Sequence, residues 1–520
     1  MKLTALRYWD APALYNVERE RGFSFGELHE LTNRICHLLE GKFHLGEGDC
    51  YATLLENDNI GIFHLWMAKA KPTALWLGIR DSKKEHLHQI DWAEAKVIFI
   101  EEPLVGEYYQ DLEERGIQIV CMDKPTKEVP GVYYFWDLLP QASSQDPDHE
   151  FDYEDADKHL AFLRFTGGTT GQPKCTMYSI ANMYSAGLNP IHYIELFPFD
   201  QPKTLLSTPI THAAGAVVLP NHFKGGELLT LNKVDIDLMC QSVAKSRVDL
   251  IYTVPTVLYR MLDMGLTRKY DLSSLRTIRY GASPISPSKL EELVNQFGKI
   301  FVQGYASTEC WPPATVLGRA DHAFETQEQR QVLKSVGSAV PGVEVMICDE
   351  NGQEVDNGQE GEIWIRGGNT IAGYYKDPEQ TKANFSENGF WKSGDIGYMD
   401  PMGRIYLVDR KKDMIITGGF NVYAQEVENV LNAHPSVENS AVVGMPDEYW
   451  GEAVCGVVVL KEGVAMEQEE IIAFCKENLT RYKVPKSIEF VDELPMSAVG
   501  KVLRREVRKK YWDDGGRNIN

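Results

Sequence analysis

With 520 residues, 43% of them apolar and 25% charged, the chain is long enough for two or more domains with a large buried core, and too apolar for wholesale disorder. Its formal net charge of −22 argues against nucleic acid or an anionic membrane as the main partner. A phosphate ligand is not excluded, because charges are screened over about 8 Å at physiological salt and the few cations lining a site decide entry. No stretch approaches the roughly 18 consecutive apolar residues of a membrane span, and Met1–Asp10 lacks the apolar core of a signal peptide. Nine scattered cysteines, odd in number and without a Cys-x-x-Cys pair, fit reduced thiols rather than disulfides or a zinc site, so a cytoplasmic location is expected.

Leu28, Leu31, Ile35, Leu38 and Leu39 recur at three-and-four spacing and predict an amphipathic helix within 23–40. Apolar runs at 51–55, 97–101, 117–122, 160–165, 204–208, 227–231, 250–254 and 300–303 predict strands alternating with helices, the pattern of an α/β fold with largely parallel sheets. Residues 123–158 are polar and rich in Pro and Asp, and read as a surface connection. Around Lys334 the texture changes. Short strands at 343–348, 362–366 and 404–408, separated by Asn-Gly, Gly-Gly and Met-Gly turns, predict a smaller β-rich lobe. After Asp409 come a helix (424–431), strands (440–443, 454–460), a second helix (468–479) and a last strand (487–491), a βαββαβ-like domain. The expected division is a large N-terminal α/β domain of several parts, 1–408, and a small mobile C-terminal α+β domain, 409–520.

The stretch Phe162-Leu-Arg-Phe-Thr-Gly-Gly-Thr-Thr-Gly-Gln-Pro-Lys174 organises the rest. An apolar strand runs into Thr166, Gly167, Gly168, Thr169, Thr170 and Gly171, where glycines let successive N–H groups point at one place and the threonines add donors. Lys174 adds a mobile positive charge, and the whole suits a polyphosphate. The spacing is not that of a Walker A loop. It resembles the signature loop of the adenylate-forming enzymes, namely acyl-CoA synthetases, luciferase-like enzymes and nonribosomal peptide adenylation domains. That loop reads Ser/Thr-Ser-Gly-Thr-Thr-Gly-x-Pro-Lys. Here Gly167 stands where serine is usual, and Cys175 follows the lysine where glycine is common.

Further segments resemble that family's motifs in the family's order. His212, in Thr211-His-Ala-Ala-Gly215, falls where the family has a gate between acyl and CoA channels. Tyr280-Gly-Ala-Ser-Pro284 resembles the turn whose backbone (Gly281, Ala282, Ser283) meets adenine. In Gln303-Gly-Tyr-Ala-Ser-Thr-Glu309, Tyr305 offers a face to a purine, Thr308 a hydroxyl, and Glu309 a hard oxygen for Mg2+; Ala306 replaces a glycine that borders the acyl pocket. Trp391-Lys-Ser-Gly-Asp395 resembles the motif whose aspartate holds the ribose hydroxyls. In Arg404-Ile-Tyr-Leu-Val-Asp-Arg-Lys-Lys-Asp413 the resemblance makes Asp409 the hinge and Arg410 a nucleotide contact. Gly418, Gly419 and Phe420 match the edge of the pantetheine tunnel, and Lys501, closing Leu494-Pro-Met-Ser-Ala-Val-Gly-Lys501, matches the lysine that bridges substrate carboxylate and α-phosphate. Cys175 and Cys310 flank these motifs without a histidine nearby in sequence to activate them, and read as packing residues.

The resemblance implies a ligase that activates a carboxylic acid with Mg-ATP as an acyl-adenylate and passes the acyl group to CoA, closest to fatty or aromatic acid–CoA ligases. Carrier-protein loading and a non-catalytic nucleotide-binding regulator are the alternatives, and a homodimer is compatible with the reading. The positions expected to line the acyl pocket (His212, Val254, Tyr280, Gln303, Gly304, Ala306) are mostly apolar or small and suit a fatty, alicyclic or aromatic acid.

Overall fold

The computed structural model describes residues 1–125, 128–147, 158–166, 173–192, 199–283, 285–417, 420–447, 449–496 and 502–512, with the backbone alone at 65, 192 and 421. The chain forms two compact units, Met1–Glu344 with Ile365–Trp391, and Val345–Trp364 with Lys392–Asn520. The large unit is α/β and the small one α+β, and among the described residues no helix is long and apolar enough to cross a membrane.

Two sheets build the first unit. One has its described strands in the order Val132–Tyr134, Gln118–Cys121, Ala95–Ile100, Cys50–Leu54, Thr73–Trp76, Leu160–Phe165, Cys175–Ser179. All neighbours are parallel except the last pair. In the other, a parallel centre (Phe301–Ser307, Thr277–Gly281, Leu250–Thr253, Thr204–Leu206, Leu228–Thr230, Pro12–Asn16) is edged by antiparallel strands. Near-continuous apolar runs such as Leu-Ala-Phe-Leu in 160–163 follow from burial on both faces. Phe162 stacks on Trp76 and Tyr178 with ring centres 3.8 and 4.5 Å away, and Trp311 of the second sheet meets it edge-on at 5.4 Å, so an aromatic column joins the two sheets. On its other face the second sheet buries Ile251, Ile278 and Phe301 under the helices Ile236–Ser246, Pro255–Asp263 and Pro287–Phe297.

The amphipathic helix expected near the N-terminus spans Phe25–His37 and starts at a reciprocal cap between Ser24 and Glu27. Within the stretch 123–158, residues 132–139 differ from the surface connection expected. Val132–Tyr134 adds an edge strand, and Phe135, Leu138 and Leu139 are buried just after it, because a few apolar side chains in a polar stretch suffice to anchor it.

The second unit holds most of the β-rich lobe, including nearly all of the antiparallel pair Trp391–Met399 and Ile405–Arg410, and an open sheet ordered Phe420–Val422, Ile415–Thr417, Gly451–Leu460, Val437–Asp447, with Ser487–Phe490 paired to Gly451–Leu460. The helices Ala424–Ala433 and Gln468–Asn478 cover that sheet through Val427, Leu431, Ile471 and Cys475. Asp409 lies inside this unit.

Candidate active site

In the first unit Thr166 and Lys174 face each other where the strand Leu160–Phe165 turns back as Cys175–Ser179. The Thr166 N–H donates to Lys174 O at 2.8 Å, and the Lys174 N–H to Thr166 Oγ1 at 3.3 Å. Gly167, Gly168, Thr169, Thr170 and Gly171 lie outside the described residues. The Lys174 ammonium donates to Asn384 Oδ1 at 3.1 Å and sits over the Tyr374 ring, 5.0 Å from its centre. Burial lowers its pKa, and the Glu309 and Asp377 carboxylates oppose that shift.

Glu309 follows the strand Phe301–Ser307 and is only 9% exposed. Its Oε2 accepts from Ser307 Oγ at 2.7 Å and its Oε1 from the Tyr374 hydroxyl at 3.1 Å. Each oxygen keeps a lone pair, a donor set that fits magnesium, which takes few protein carboxylates. Thr308 accepts the Tyr178 hydroxyl at its carbonyl; Tyr305, Ala306 and Thr308 are half-buried beside it. Gly281 ends its strand so close to the neighbouring one that a Cβ would lie 2.4 Å from Gly304 O. Ala282 then takes a left-handed φ of 67°, strained by about 1–2 kcal/mol for a residue with a Cβ, before half-buried Ser283.

Tyr280 and Gln303 turn the other way. Tyr280 is fully buried in the core beneath the helices, its hydroxyl 3.0 Å from His322 Nε2 and 3.4 Å from Gln303 Oε1. Burial lowers the His322 pKa to about 4, so the ring is neutral at pH 7, and its Nδ1–H donates to Gly318 O at 2.6 Å while Nε2 accepts. Val254 packs on the same core at the start of the helix Pro255–Asp263. Gly304 is half-buried, and His212 precedes the 3-10 turn Ala213–Val217 with Nδ1 3.1 Å from Thr211 Oγ1. Cys175 and Cys310 are buried, and burial pushes the Cys310 thiol up to about 12, which suits packing and not nucleophilic attack.

In the second unit Asp395 and Arg410 stand opposite each other on neighbouring strands, with Arg410 Nε 3.2 Å from Asp395 Oδ1. Asp409, next in the chain, points elsewhere: its carboxylate accepts from the Gln425 N–H at 3.0 Å and pairs with Arg504 Nη1 at 3.3 Å. Burial lowers the Lys412 pKa to about 8. Gly418, Gly419 and Lys501 lie outside the described residues. Phe420 is exposed and stacks on Tyr482 at 4.8 Å, and the chain on either side of residues 497–501 is tied by an antiparallel bridge between Met496 and Val502.

Residues 2–375 match the model of the AMP-binding enzyme, and residues 426–501 that of the AMP-binding enzyme C-terminal domain. The chain belongs to the AMP-binding enzyme family. Among curated relatives of this AMP-binding enzyme, the medium/long-chain-fatty-acid–CoA ligase FadD8 of Mycobacterium tuberculosis is 39% identical over 370 residues, 69% of this chain and 62% of that relative's length. A feruloyl-CoA synthase of Amycolatopsis sp. is 37% identical over 378 residues, 72% of this chain and 73% of its own. Among solved structures, ATP-bound MatB from Rhodopseudomonas palustris superposes with a TM-score of 0.85 at 27% identity, covering 98% of both chains.

Three residues of this AMP-binding enzyme stand in the two clusters but in none of the motifs that mark the sequence: Tyr374, Asn384 and Arg504. The N-cap Asp377 and Pro378 at the start of the helix Pro378–Asn384 are legible as a helix start just after Tyr374. What the tyrosine touches is not legible, since its partners come from segments far away in the chain.

Proposed function

We propose that this AMP-binding enzyme is an AMP-forming acid–CoA ligase that activates an apolar carboxylic acid as its acyl-adenylate and transfers the acyl group to CoA. The observation that carries the reading is the meeting of Lys174 and Glu309, from two separate motifs, on the face and the hydroxyl of Tyr374. A phosphate-binding cation and a magnesium-binding carboxylate held this close suit a metal triphosphate.

In the first half-reaction the substrate carboxylate attacks the α-phosphorus of ATP and pyrophosphate leaves. Both reactants are anionic, so fixed cations and donors at the reacting oxygens matter more than a general base. Thr166, with Thr169 and Thr170, and Lys174 steady the β- and γ-phosphates, and Glu309 would hold the magnesium, which supplies charge neutralisation when bound. The turn Gly281–Ser283 and Tyr305 receive the adenine, Asp395 with Arg410 the ribose side, and Lys501 the α-phosphate and carboxylate. In the second half-reaction the domain after Asp409 swings, Lys501 withdraws, and Gly418, Gly419 and Phe420 flank the entering thiol, which attacks the acyl carbonyl as AMP leaves.

The acyl group is fatty or aromatic, as the names of the mycobacterial and Amycolatopsis relatives suggest. A pyrophosphate-release assay over a panel of straight-chain and cinnamic-type acids, with and without CoA, tests both halves. Acid-dependent release limited to about one equivalent per site without CoA, and sustained turnover with it, is expected. Absence of acyl-AMP with every acid would sink the proposal.

A further inference from the structure

The Gly373–Tyr375 segment lies along the strand that begins beside Lys174. Thr176 bridges antiparallel to Tyr374, the Tyr375 N–H donates to Cys175 O at 2.7 Å, and the Met177 N–H to Gly373 O at 3.1 Å. On its other side the Tyr374 N–H donates to Thr381 Oγ1 at 2.9 Å. The backbone is therefore fixed on both edges, and the ring, 2% exposed, takes the ammonium on its face and the carboxylate on its hydroxyl. Among the described residues no direct ion pair joins Lys174 to Glu309; the lysine's hydrogen bond goes to the neutral Asn384 amide, and the carboxylate's to two hydroxyls.

We propose that Tyr374 is a positioning residue that keeps Lys174 and Glu309 from neutralising each other. Opposite charges in a half-buried place attract strongly, and a lysine closed on a carboxylate must be pulled off before it can meet phosphate. A carboxylate closed on a lysine likewise offers a metal less. Tyr374 answers both charges with a neutral group: the negative face of its ring receives the ammonium, and its O–H donates to the carboxylate. Both charges stay in place and open to a second partner. The inference rests on the proposed nucleotide role of these residues and adds the reason they do not pair.

The test uses Tyr374→Phe and Tyr374→Leu in the full chain, read by MgATP affinity without any acid, by the magnesium needed for half-saturation of nucleotide binding, and by unfolding temperature. Tyr374→Phe keeps the ring and loses the hydroxyl. It is expected to raise the half-saturating magnesium about 10- to 100-fold, the weight of one charge-assisted hydrogen bond, at unchanged ATP affinity in saturating magnesium. Tyr374→Leu also removes the ring face and is expected to weaken ATP about 3- to 10-fold even in saturating magnesium. Unchanged magnesium dependence in Tyr374→Phe, or a loss in both variants that simply tracks a lower unfolding temperature, would overturn the inference. Because binding is measured without acid, a chain that bound MgATP with this pattern yet activated no acid would sink the ligase proposal and leave the inference standing.

Discussion

Lys174 in the first unit and Arg504 in the second are both cations set among carboxylates, and the fold treats them in opposite ways. The Arg504 guanidinium is enclosed by acceptors: Nε donates to Glu428 Oε1 at 2.7 Å, Nη2 to Glu428 Oε2 and to Gln425 Oε1, and Nη1 lies 3.3 and 3.2 Å from Asp409 and Asp413. Burial opposes its charge, yet Glu428, Asp409 and Asp413 raise its pKa. Lys174 touches an aromatic face and a neutral amide, and burial lowers its pKa. A cation with its donors committed to carboxylates belongs to the architecture. A cation resting on neutral groups is available to an anion that arrives from solution.

The largest effect that would break this contrast is on stability. Arg504→Ala leaves Glu428 and Asp409, whose side chains are 7% and 1% exposed, as buried carboxylates without their cation. Removing one partner of a buried pair destabilises by about 3–5 kcal/mol. Hydrogen exchange in the helix Ala424–Ala433 and urea unfolding of the second unit should both report a loss of that size, with Arg504→Lys recovering part of it. A variant within measurement error of the parent would remove Arg504 from the architecture.

Lys174→Met should show the reverse profile. The side chain is half-buried and in no ion pair among the described residues, so stability should change by no more than about 0.5 kcal/mol. Losing one preorganised charge at a reacting phosphate costs about 10²- to 10³-fold in rate, here in the release of pyrophosphate. Equal loss of stability in this variant and in Arg504→Ala would erase the distinction between the two cations.

That distinction is also what sequence could not display. Lys174, Glu309, Asp395 and Arg410 were singled out because each sits in a short segment that resembles a family motif, and the structure brings Lys174 and Glu309 onto Tyr374 and Asp395 beside Arg410. Strands such as Leu160–Phe165 and the helix Phe25–His37 were legible for local reasons, a near-continuous apolar run in the one and an apolar three-and-four spacing in the other. Tyr374 and Arg504 act through partners far away in the chain, and neither a tyrosine in a bridged segment nor an arginine at the start of a short helix carries a mark of what it will touch. The buried turn of Tyr280 toward His322 was hidden likewise, since one residue of register along a strand decides which face a side chain takes.

The smallest expected effect sharpens the contrast with a carboxylate instead of a cation. Asp58 and Glu101 are buried and answered: Asp58 by Arg19 at 2.9 Å and Arg21 at 2.7 Å, Glu101 by Arg19 at 3.2 Å and by Asn59 Nδ2 at 2.8 Å. Glu56 is half-buried beside them, and burial first, then Glu101 and Asp58, push its pKa from an ordinary 4.5 up to about 7, with Arg80 opposing. A carboxyl with a raised native pKa binds its proton more tightly when folded. Its contribution to stability is therefore complete below about pH 4.5 and is lost as pH rises through about 7. Glu56→Gln cannot ionise, so it should unfold at the same denaturant concentration as the parent near pH 4.5 and at a higher one at pH 8. The gain should be about 1 kcal/mol, less than the full shift implies, because solvent screens a group this exposed. A variant less stable than the parent at pH 8 would mean that Glu56 is a paired carboxylate like Asp58, and would move it to the architectural side of the comparison.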